Sequence, residues 1–364
     1  MKRILNVVGA RPNFMKIAPI QRIMHEMTNS FEPILVHTGQ HYDERMSKLF
    51  FDDLELPKPD IYLGVGSGSH AEQTAKIMIE FEKVCEKEKP DVVVVVGDVN
   101  STAACSMVAS KMWIPIAHVE AGLRSFDRKM PEEINRIITD TLSDYLFVTE
   151  KSGINNLMNE GIPQAKIHFV GNVMIDSLVY YLKKNNPSKV LNDLNLKPKE
   201  YVLVTLHRPS NVDEPDNFKR IISAFKEIQK DISIVFPIHP RTQKNIEKFG
   251  LKAEIDELKN LKLIQPVGYI DFMKLMVNCG FVMTDSGGIQ EETTYLGIPC
   301  LTLRENTERP CTIELGTNEI VGNDTKRIIE SARSIISGNW KKGRIPKLWD
   351  GKTAERIVSV LKRN

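Results

Sequence analysis

Residues 92–102 read VVVVVGDVNST, and this stretch decides the fold. Five consecutive valines are apolar on both faces, which is typical of a central strand in a parallel sheet covered by helices. The Gly-Asp pair that follows marks the end of the strand, and the Asn-Ser-Thr after it can begin a helix. The stretch therefore predicts one strand–turn–helix unit of a doubly wound α/β protein.

Similar apolar runs alternate with amphipathic stretches along all 364 residues, a length that favours two domains. The runs that predict strands are 4–8, 33–37, 92–96, 114–119, 145–149, 166–170, 201–206, 232–238, 261–265, 281–284 and 299–302. A polar, proline-containing connector, 180–199, follows the sixth run. We predict two Rossmann-like domains, 1–172 and 173–351, with parallel sheets facing an interdomain cleft. A last helix within 352–364 could pack on either domain and is assigned to the first.

Composition argues against several classes of protein. Lys and Arg number 49 against 47 Asp and Glu, a balance that does not support a nucleic-acid or membrane-surface binder. No long apolar run predicts a membrane helix, and the N-terminus is interpreted as a first strand rather than a signal peptide. Five cysteines without a C-x-x-C pair argue against a disulfide framework or a zinc site. We expect a cytoplasmic enzyme.

Ligands of open parallel sheets bind beyond the carboxyl ends of the strands, so polar residues directly after predicted strands are site candidates. In the first half these are Arg11, Lys16, Asp98 and Glu120. Arg11 and Lys16 flank a helix N-terminus, which suits an anionic ligand, although two solvated cations would give the same pattern. Asp98 could equally be a helix N-cap, and His118 is expected to be a packed strand histidine.

Two acidic residues, Glu132 and Glu133, follow Pro131, which marks a helix start. The helix dipole alone would explain acids in a first turn. Residues 9–16 read GARPNFMK rather than G-x-G-x-x-G, and the chain has no P-loop. A nicotinamide cofactor and phosphoryl transfer from a nucleoside triphosphate are therefore not supported.

The most specific local signal is TDSGGIQEE at 284–292. Gly287 and Gly288 would let backbone N–H groups approach a phosphate, the hydroxyl of Ser286 adds a donor, and the helix dipole favours the anion. Glu292 would lie about one turn inside the helix, within reach of a ribose diol. A plain tight turn is the alternative.

Two other predicted strands of the second half end in a histidine close to an arginine, at His207-Arg208 and at His239. Arg309 follows the last predicted strand and could add a cation. Such groups suit diphosphate recognition better than metal binding, because no carboxylate or cysteine lies at ligand spacing. Carboxylates in the first half and a phosphate cradle in the second are the groups that a nucleotide sugar requires.

Eight sequence blocks occur in a fixed order along the chain, namely GARPNFMKIAP, VGDVNST, HVEAGLRS, MPEEINR, FVGNVMID, TLHR, TDSGGIQEE and TERP. On these blocks the chain resembles the non-hydrolysing UDP-N-acetylglucosamine 2-epimerases over essentially its full length. The resemblance implies a glycosyltransferase-B type fold, a UDP-sugar substrate, a homodimer and no cofactor or metal. It implies reversible inversion at C2, by elimination of UDP to a 2-acetamidoglucal and re-addition, for cell-envelope polysaccharide synthesis.

The resemblance also implies roles for single residues. It makes Asp98, Glu120 and Glu132 the acid/base carboxylates, in an unassigned order, and places His207 near the diphosphate. The remaining residues that it implies for substrate binding are Arg11, Lys16, Arg136, Val267, Phe272, Ser286, Gly287, Gly288, Glu292 and Arg309. Among these, Phe272 matches the aromatic beside uracil, and Val267 stands where some relatives have Gln.

Two segments, GQHYD at 39–43 and HRPS at 207–210, depart from the pattern of many bacterial relatives. In those relatives the segments help to form a second, activating UDP-N-acetylglucosamine site. Gln40, Glu133, Arg208 and His239 could still serve such a site, so allosteric activation is an open hypothesis.

Four other functions are compatible with the sequence. A hydrolysing epimerase would share the glucal intermediate but release N-acetylmannosamine. The substrate could be another UDP-N-acetyl sugar, such as a uronic acid. A glycosyltransferase of the same fold would need an acceptor. A nucleotide-sugar sensor would bind without turnover, but binding alone would not require three carboxylates.

Overall fold

The computed structural model describes residues 1–40, 58–184 and 188–363, so residues 41–43 of the GQHYD segment lie outside it. The strands are β1 (Lys2–Val8), β2 (Phe31–His37), β3 (Ile61–Tyr62), β4 (Val92–Val96), β5 (Ile116–Ala121), β6 (Tyr145–Val148), β7 (Ile167–Phe169), β8 (Tyr201–Thr205), β9 (Ser233–Pro237), β10 (Leu261–Ile264), β11 (Phe281–Thr284), β12 (Cys300–Thr302) and β13 (Asn318–Ile320). The helices are α1 (Arg11–Glu26), α2 (His70–Glu88), α3 (Asn100–Lys111), α4 (Pro131–Leu142), α5 (Lys151–Asn159), α6 (Val173–Lys183), α7 (Val190–Asp193), α8 (Pro209–Val212), α9 (Pro215–Ile228), α10 (Pro240–Lys248), α11 (Lys252–Asp256), α12 (Tyr269–Asn278), α13 (Gly287–Leu296), α14 (Pro310–Glu314), α15 (Thr325–Ile336) and α16 (Thr353–Arg363). None of these helices is long and apolar enough to cross a membrane.

The chain forms two compact units, each with its own parallel sheet. Unit 1 comprises Met1–Lys183 and Lys347–Asn364, and unit 2 comprises Lys184–Pro346. The described strands of unit 1 lie in the order β3-β2-β1-β4-β5-β6-β7, and those of unit 2 in the order β10-β9-β8-β11-β12-β13. Every valine of β4 is buried, as a central strand between two helical layers requires. The predicted α/β class with two parallel sheets is confirmed.

All eleven predicted strands are present, with ends that shift by one or two residues. Strands β3 and β13 were not predicted, because the runs IY and NEI are too short to show a periodic pattern. Both lie at an outer edge of a sheet. Their absence from the sequence prediction therefore leaves the central strands unaffected.

The division between the units differs from the predicted boundary at 172. Helix α6 belongs to unit 1, where Ser177 Oγ donates a hydrogen bond to the carbonyl of Met15 in α1. Residues 347–351 also belong to unit 1, because the indole of Trp349 is fully buried and donates to the carbonyl of Thr149 at 3.0 Å. Helix α16 likewise packs on unit 1.

A carboxylate from α6 caps the N-terminus of α16. Both oxygens of Asp176 accept backbone hydrogen bonds, from the N–H of Thr353 at 3.1 Å and from that of Ala354 at 2.7 Å. These N–H groups have no acceptor within their own helix, so a carboxylate here satisfies them and also faces the positive end of the helix dipole. The cap joins the two chain segments that form unit 1.

We predict that Asp176→Ala lowers the free energy of unfolding by about 1–2 kcal/mol, the usual loss for an N-cap. Urea denaturation followed by circular dichroism measures this. The control is Glu355→Gln, an exposed residue in the first turn of α16, for which the change should stay below about 0.5 kcal/mol. An equal loss in both variants would contradict the capping role.

Each sheet has a point beside its first strand where the order of strands reverses. In unit 1 the chain proceeds outward from β1 through β2 and β3, and then returns to place β4 on the other side of β1. In unit 2 the same reversal lies between β8 and β11. Loops diverge at such a point and leave a crevice beyond the carboxyl ends of the two strands, so the candidate residues should be sought there.

Candidate active site

In unit 1, one side chain joins the turn after β1 to the end of β4. The Asn13 Oδ1 accepts the backbone N–H groups of Gly9 and Ala10 at 3.1 and 2.9 Å. Its Nδ2 donates to the carbonyl of Val96 at 3.0 Å. Residue 13 was not among the predicted site residues, although it lies within the GARPNFMK block. The two strand ends at the reversal point are thereby held together.

Lys16 and Glu120 form a buried ion pair next to this turn. A Cβ atom on Gly97 would lie 3.5 Å from the Lys16 ammonium and 3.6 Å from the Glu120 carboxylate, so the pair packs closely under Gly97. Gly97 has φ +67°, which a side chain would disfavour. The alternative of a solvated cation is wrong for Lys16. Arg11 is the first residue of α1, and its side chain lies outside the described part of the structure.

The backbone at Glu120 is unusual for a strand. This residue has φ +75°, and the register of β5 on β6 shifts between Val119 and Ala121. Residues other than glycine adopt such angles only where the surrounding contacts hold them, and they concentrate at functional sites. The buried Lys16 ammonium supplies one such contact.

Asp98 lies at the carboxyl end of β4 and is paired with Arg136 of α4. The carboxylate of Asp98 remains 34% exposed, whereas the guanidinium is buried. Helix α3 has Val99 as its N-cap, so the alternative that Asp98 caps this helix is wrong. Two candidate carboxylates, Asp98 and Glu120, therefore end neighbouring strands, and each has a buried cation as partner.

Glu133 holds the guanidinium of Arg136 in place by two hydrogen bonds. Its Oε2 accepts from the guanidinium Nε and Nη2 at 2.9 and 2.6 Å, and its two oxygens also accept the backbone N–H groups of Ser125 and Phe126. Burial alone would raise the pKa of Glu133, but these hydrogen bonds and the arginine charge outweigh it and leave the pKa lowered.

Glu132 differs from its neighbour. It is half-buried in the first turn of α4, which begins at Pro131 as predicted. Within residues 1–40, 58–184 and 188–363 its carboxylate has no hydrogen-bond or ion-pair partner. Glu132 thus has the freedom that a proton-transferring group needs, whereas Glu133 is fully engaged in structure.

In unit 2, the buried carboxylate of Asp285 organises the ends of β8 and β11. It accepts the backbone N–H groups of His207 and Arg208 at 3.0 and 2.9 Å, and the side-chain amide of Asn211 at 3.2 Å. The ring Nδ1 of His207 lies 3.0 Å from its Oδ1, and 45% of that side chain is exposed. Burial would raise the pKa of Asp285, but His207 and the backbone donors outweigh it and lower the pKa. Sequence reasoning missed Asp285, although it directly follows a predicted strand.

The N-terminus of α13 begins directly after this residue. Ser286 is the N-cap, its side chain makes no capping hydrogen bond, and Gly287 and Gly288 form the first turn. A Cβ atom on Gly287 would clash with the guanidinium of Arg309, which therefore lies against the helix start. Arg309 donates to Glu291 at 2.8 Å. The arrangement places a cation beside backbone N–H groups, a combination that suits a phosphate.

Glu292 lies one turn further along α13 and accepts a hydrogen bond from the Tyr269 hydroxyl at 3.0 Å. Burial raises the pKa of Glu292 to about 7. Tyr269 was not predicted as a site residue. It begins α12, where Phe272 is half-buried, and Val267 lies two residues earlier, in the loop after β10. The predicted ribose and uracil contacts thus lie on two helices that one hydrogen bond connects.

The four residues considered for an activating site fall into separate units. In unit 1, Gln40 is buried and its Oε1 accepts from Ser101 at 2.9 and 2.6 Å, and Glu133 is buried as described. In unit 2, Arg208 donates to the carbonyl of Asp285, and His239 is the N-cap of α10. Both unit 1 residues have structural roles, and an activating site remains a hypothesis. Among the described residues, no group of three or more His, Cys, Asp or Glu could hold a metal ion.

Comparison with known proteins agrees with this geometry. Two parallel-sheet units with polar residues at the strand reversals form an α/β fold of the glycosyltransferase-B type. The family model for UDP-N-acetylglucosamine 2-epimerase matches residues 24–362. The chain therefore belongs to the UDP-N-acetylglucosamine 2-epimerase family.

Two similar proteins, one of them with a crystal structure, cover most or all of the chain. It is 46% identical to the UDP-N-acetylglucosamine 2-epimerase of Methanocaldococcus jannaschii over 98% of this chain and 97% of that one. It is 44% identical, over 92% of both chains, to the UDP-2,3-diacetamido-2,3-dideoxy-D-glucuronate 2-epimerase of Pseudomonas aeruginosa. A crystal structure of the M. jannaschii UDP-GlcNAc 2-epimerase with UDP-GlcNAc and UDP superposes with a TM-score of 0.91 at 46% identity, over 100% of both chains.

We predict that amide substitutions at the two adjacent acids of α4 differ strongly in their effect on stability. Glu133→Gln removes the charge that compensates buried Arg136 and should lower the free energy of unfolding by about 2–4 kcal/mol. Glu132→Gln, at a half-buried site without a described partner, should change it by less than about 0.5 kcal/mol. Urea denaturation of both variants measures the difference. Equal stabilities would show that Glu133 does not hold Arg136.

Proposed function

We propose that this protein is an isomerase that interconverts UDP-N-acetylglucosamine and UDP-N-acetylmannosamine without a cofactor. The observation that carries the proposal is the pair of carboxylates at the ends of β4 and β5, Asp98 with Arg136 and Glu120 with Lys16. Asp98 lies at the strand reversal and Glu120 at the end of the neighbouring strand, and in a chain of this family these places make them the natural groups for proton transfer at a sugar carbon.

Inversion at C2 requires removal of a weakly acidic C–H proton and its return from the opposite face. In the proposed route one carboxylate takes the C2 proton, the electron pair forms the C1–C2 double bond, and the C1–O bond breaks to release UDP. Protonation of the 2-acetamidoglucal at C2 from the other face and re-addition of UDP at C1 complete the cycle. Asp98, Glu120 and Glu132 are the proposed proton carriers.

Unit 2 supplies the groups that the departing UDP needs. The start of α13, Arg309 and His207 would stabilise the negative charge of the diphosphate as the C1–O bond breaks. Glu292 would accept hydrogen bonds from the ribose hydroxyl groups, and Phe272 would contact the uracil. Lys16 and Arg136 would contribute to substrate binding by their positive charges, which lie beside the carboxylates of Glu120 and Asp98.

Two alternatives differ in product or substrate. A hydrolysing epimerase would release N-acetylmannosamine, because water rather than UDP would add to the intermediate. The 44% identity to a 2-epimerase of a UDP-diacetamido-glucuronate favours a second candidate, inversion at C2 of a UDP-N-acetyl uronic acid. We also propose that the protein is a homodimer, that it is cytoplasmic, and that it serves envelope polysaccharide synthesis.

We predict that the protein incubated with UDP-N-acetylglucosamine in D2O produces UDP-N-acetylmannosamine with deuterium at C2. Deuterium enters because the abstracted proton exchanges with solvent before it returns. Proton NMR of the anomeric and C2 signals measures both events, with no metal or cofactor added. Free N-acetylmannosamine as the main product would support the hydrolysing enzyme instead, and turnover only of a UDP-N-acetyl uronic acid would support the second candidate.

We predict that Asp98→Asn lowers kcat by about 100- to 10,000-fold, the usual contribution of general acid–base catalysis. The affinity for UDP should change less than about twofold, because the proposed UDP contacts lie in unit 2 and an amide keeps the shape of the side chain. Steady-state kinetics and calorimetric titration with UDP measure these values. Asp144→Asn is the matched control, since this half-exposed carboxylate precedes β6 at the amino edge of the same sheet. Full kcat in Asp98→Asn would exclude Asp98 from proton transfer.

A further inference from the structure

A buried histidine–aspartate pair lies directly behind the carboxylates of unit 1. His118 is in the middle of β5 with no solvent exposure, and Asp140 of α4 is 1% exposed. The burial of His118 confirms that it is a packed strand histidine. Its hydrogen bonds, however, go beyond what packing requires.

Both ring nitrogens of His118 face an oxygen atom. The Nδ1 lies 2.6 Å from Asp140 Oδ1, and the Nε2 lies 2.9 Å from the backbone carbonyl of Gly97. A carbonyl oxygen has no hydrogen to donate, so the His118 Nε2 carries one and donates it to Gly97. The His118 ring thereby links the carboxyl group of Asp140 to the end of β4.

Three groups hold the carboxyl group of Asp140. Its Oδ2 accepts the backbone N–H of Gly122 at 3.1 Å and lies 2.7 Å from Arg124 Nη1, and its Oδ1 faces His118. Burial would raise the pKa of Asp140, but its interactions with His118 and Arg124 outweigh it and lower the pKa. Asp140 is thus fixed against the backbone N–H of Gly122.

Arg124 connects this pair to a carboxylate at the surface. Its side chain lies 2.7 Å from Asp140 Oδ2 and donates to Glu160 at 2.8 and 2.6 Å. Glu160 is exposed, whereas His118, Asp140 and Arg124 are buried. A buried charged group needs a partner, so Arg124 and Asp140 hold each other in place.

We propose that His118 and Asp140 are positioning residues for the carboxylates of Asp98 and Glu120. This inference rests on the proposed function of these two carboxylates. The His118 Nε2–H holds the carbonyl of Gly97, whose next residue is Asp98. Asp140 holds the N–H of Gly122, two residues after Glu120.

The backbone at both attachment points has little intrinsic rigidity. Gly97 has φ +67° and Gly122 has φ +81°, and glycines reach many conformations when nothing constrains them. One helix, α4, carries Asp140 together with Glu132 and Arg136. Through His118 and Asp140, this helix therefore sets the positions of both strand ends relative to its own acidic first turn. Proton transfer depends steeply on such positions.

The first test locates the ring hydrogen of His118 in the wild-type protein. Nitrogen-15 NMR of histidine-labelled protein, with His118 assigned through the backbone of β5, should show a hydrogen on the ring Nε2. It should also show that this hydrogen exchanges slowly with solvent. An Nε2 without a hydrogen would overturn the proposal. This measurement requires neither a variant nor activity, so it stands even if the proposed reaction is wrong.

The second test separates positioning from stability. His118→Phe keeps a buried ring but removes both hydrogen bonds, and it should lower kcat about 10- to 100-fold while KM and the affinity for UDP change less than twofold. His118→Gln retains one donor, so it should recover part of kcat. The matched control is His168→Phe, in β7 of the same sheet, where the ring packs against Tyr145 and Phe147.

The kcat and UDP affinity of these variants distinguish a positioning role from a purely structural one. All measurements are made below the unfolding transition of each variant, with folding checked by circular dichroism. Loss of kcat in His118→Phe with unchanged UDP affinity, partial recovery in His118→Gln, and full kcat in His168→Phe support positioning. Full kcat in His118→Phe, or parallel losses of kcat and UDP affinity in both phenylalanine variants, would overturn it. Wild-type protein that does not epimerise would refute the proposed function and leave the NMR result intact.

Discussion

The parallel pairing of β1 with β4, and of β8 with β11, is the constraint on which the rest of the structure depends. Parallel strands bring their carboxyl ends to one edge of a sheet, and the reversal of strand order at these two pairs parts the loops that follow. The polar turn after β1 meets the end of β4 at the first pair, and His207 and Asp285 meet at the second. The same strand reversal in the two units thus gathers different groups, carboxylates paired with cations in unit 1 and a histidine paired with a buried carboxylate in unit 2.

Buried charge is the second determinant of the site, because a charge removed from water needs a partner. Lys16 neutralises Glu120, and Arg136 lies between Asp98 and Glu133. Asp285 interacts with four hydrogen-bonding nitrogens. These pairings keep the candidate carboxylates and the His207 ring in defined positions without enclosing them completely. The groups at the rim can therefore meet a ligand while their partners remain fixed.

Much of this arrangement could be predicted from local sequence. The apolar runs identified eleven strands, and the position after a strand made Asp98, Glu120, His207 and Ser286 candidates for a ligand site. Prediction failed where the sequence signal was short or depended on distant contacts. Strands β3 and β13 have too few residues for a pattern, and the unit boundary moved because α6 packs on α1.

The sequence by itself determined the α/β class, the edge of each sheet where polar groups lie, and the family, because these depend on periodicity and on motifs within a few residues. Only the tertiary structure decided which of those polar groups are engaged and which are available. Glu132 and Glu133 are adjacent and chemically alike, yet one is fully occupied by Arg136 and two backbone N–H groups. His118 and Asp140 are 22 residues apart and form one buried hydrogen-bonded pair. The physical reason is that pairing and burial are set by side chains that meet only when the strands and helices pack, and no local pattern encodes those distances.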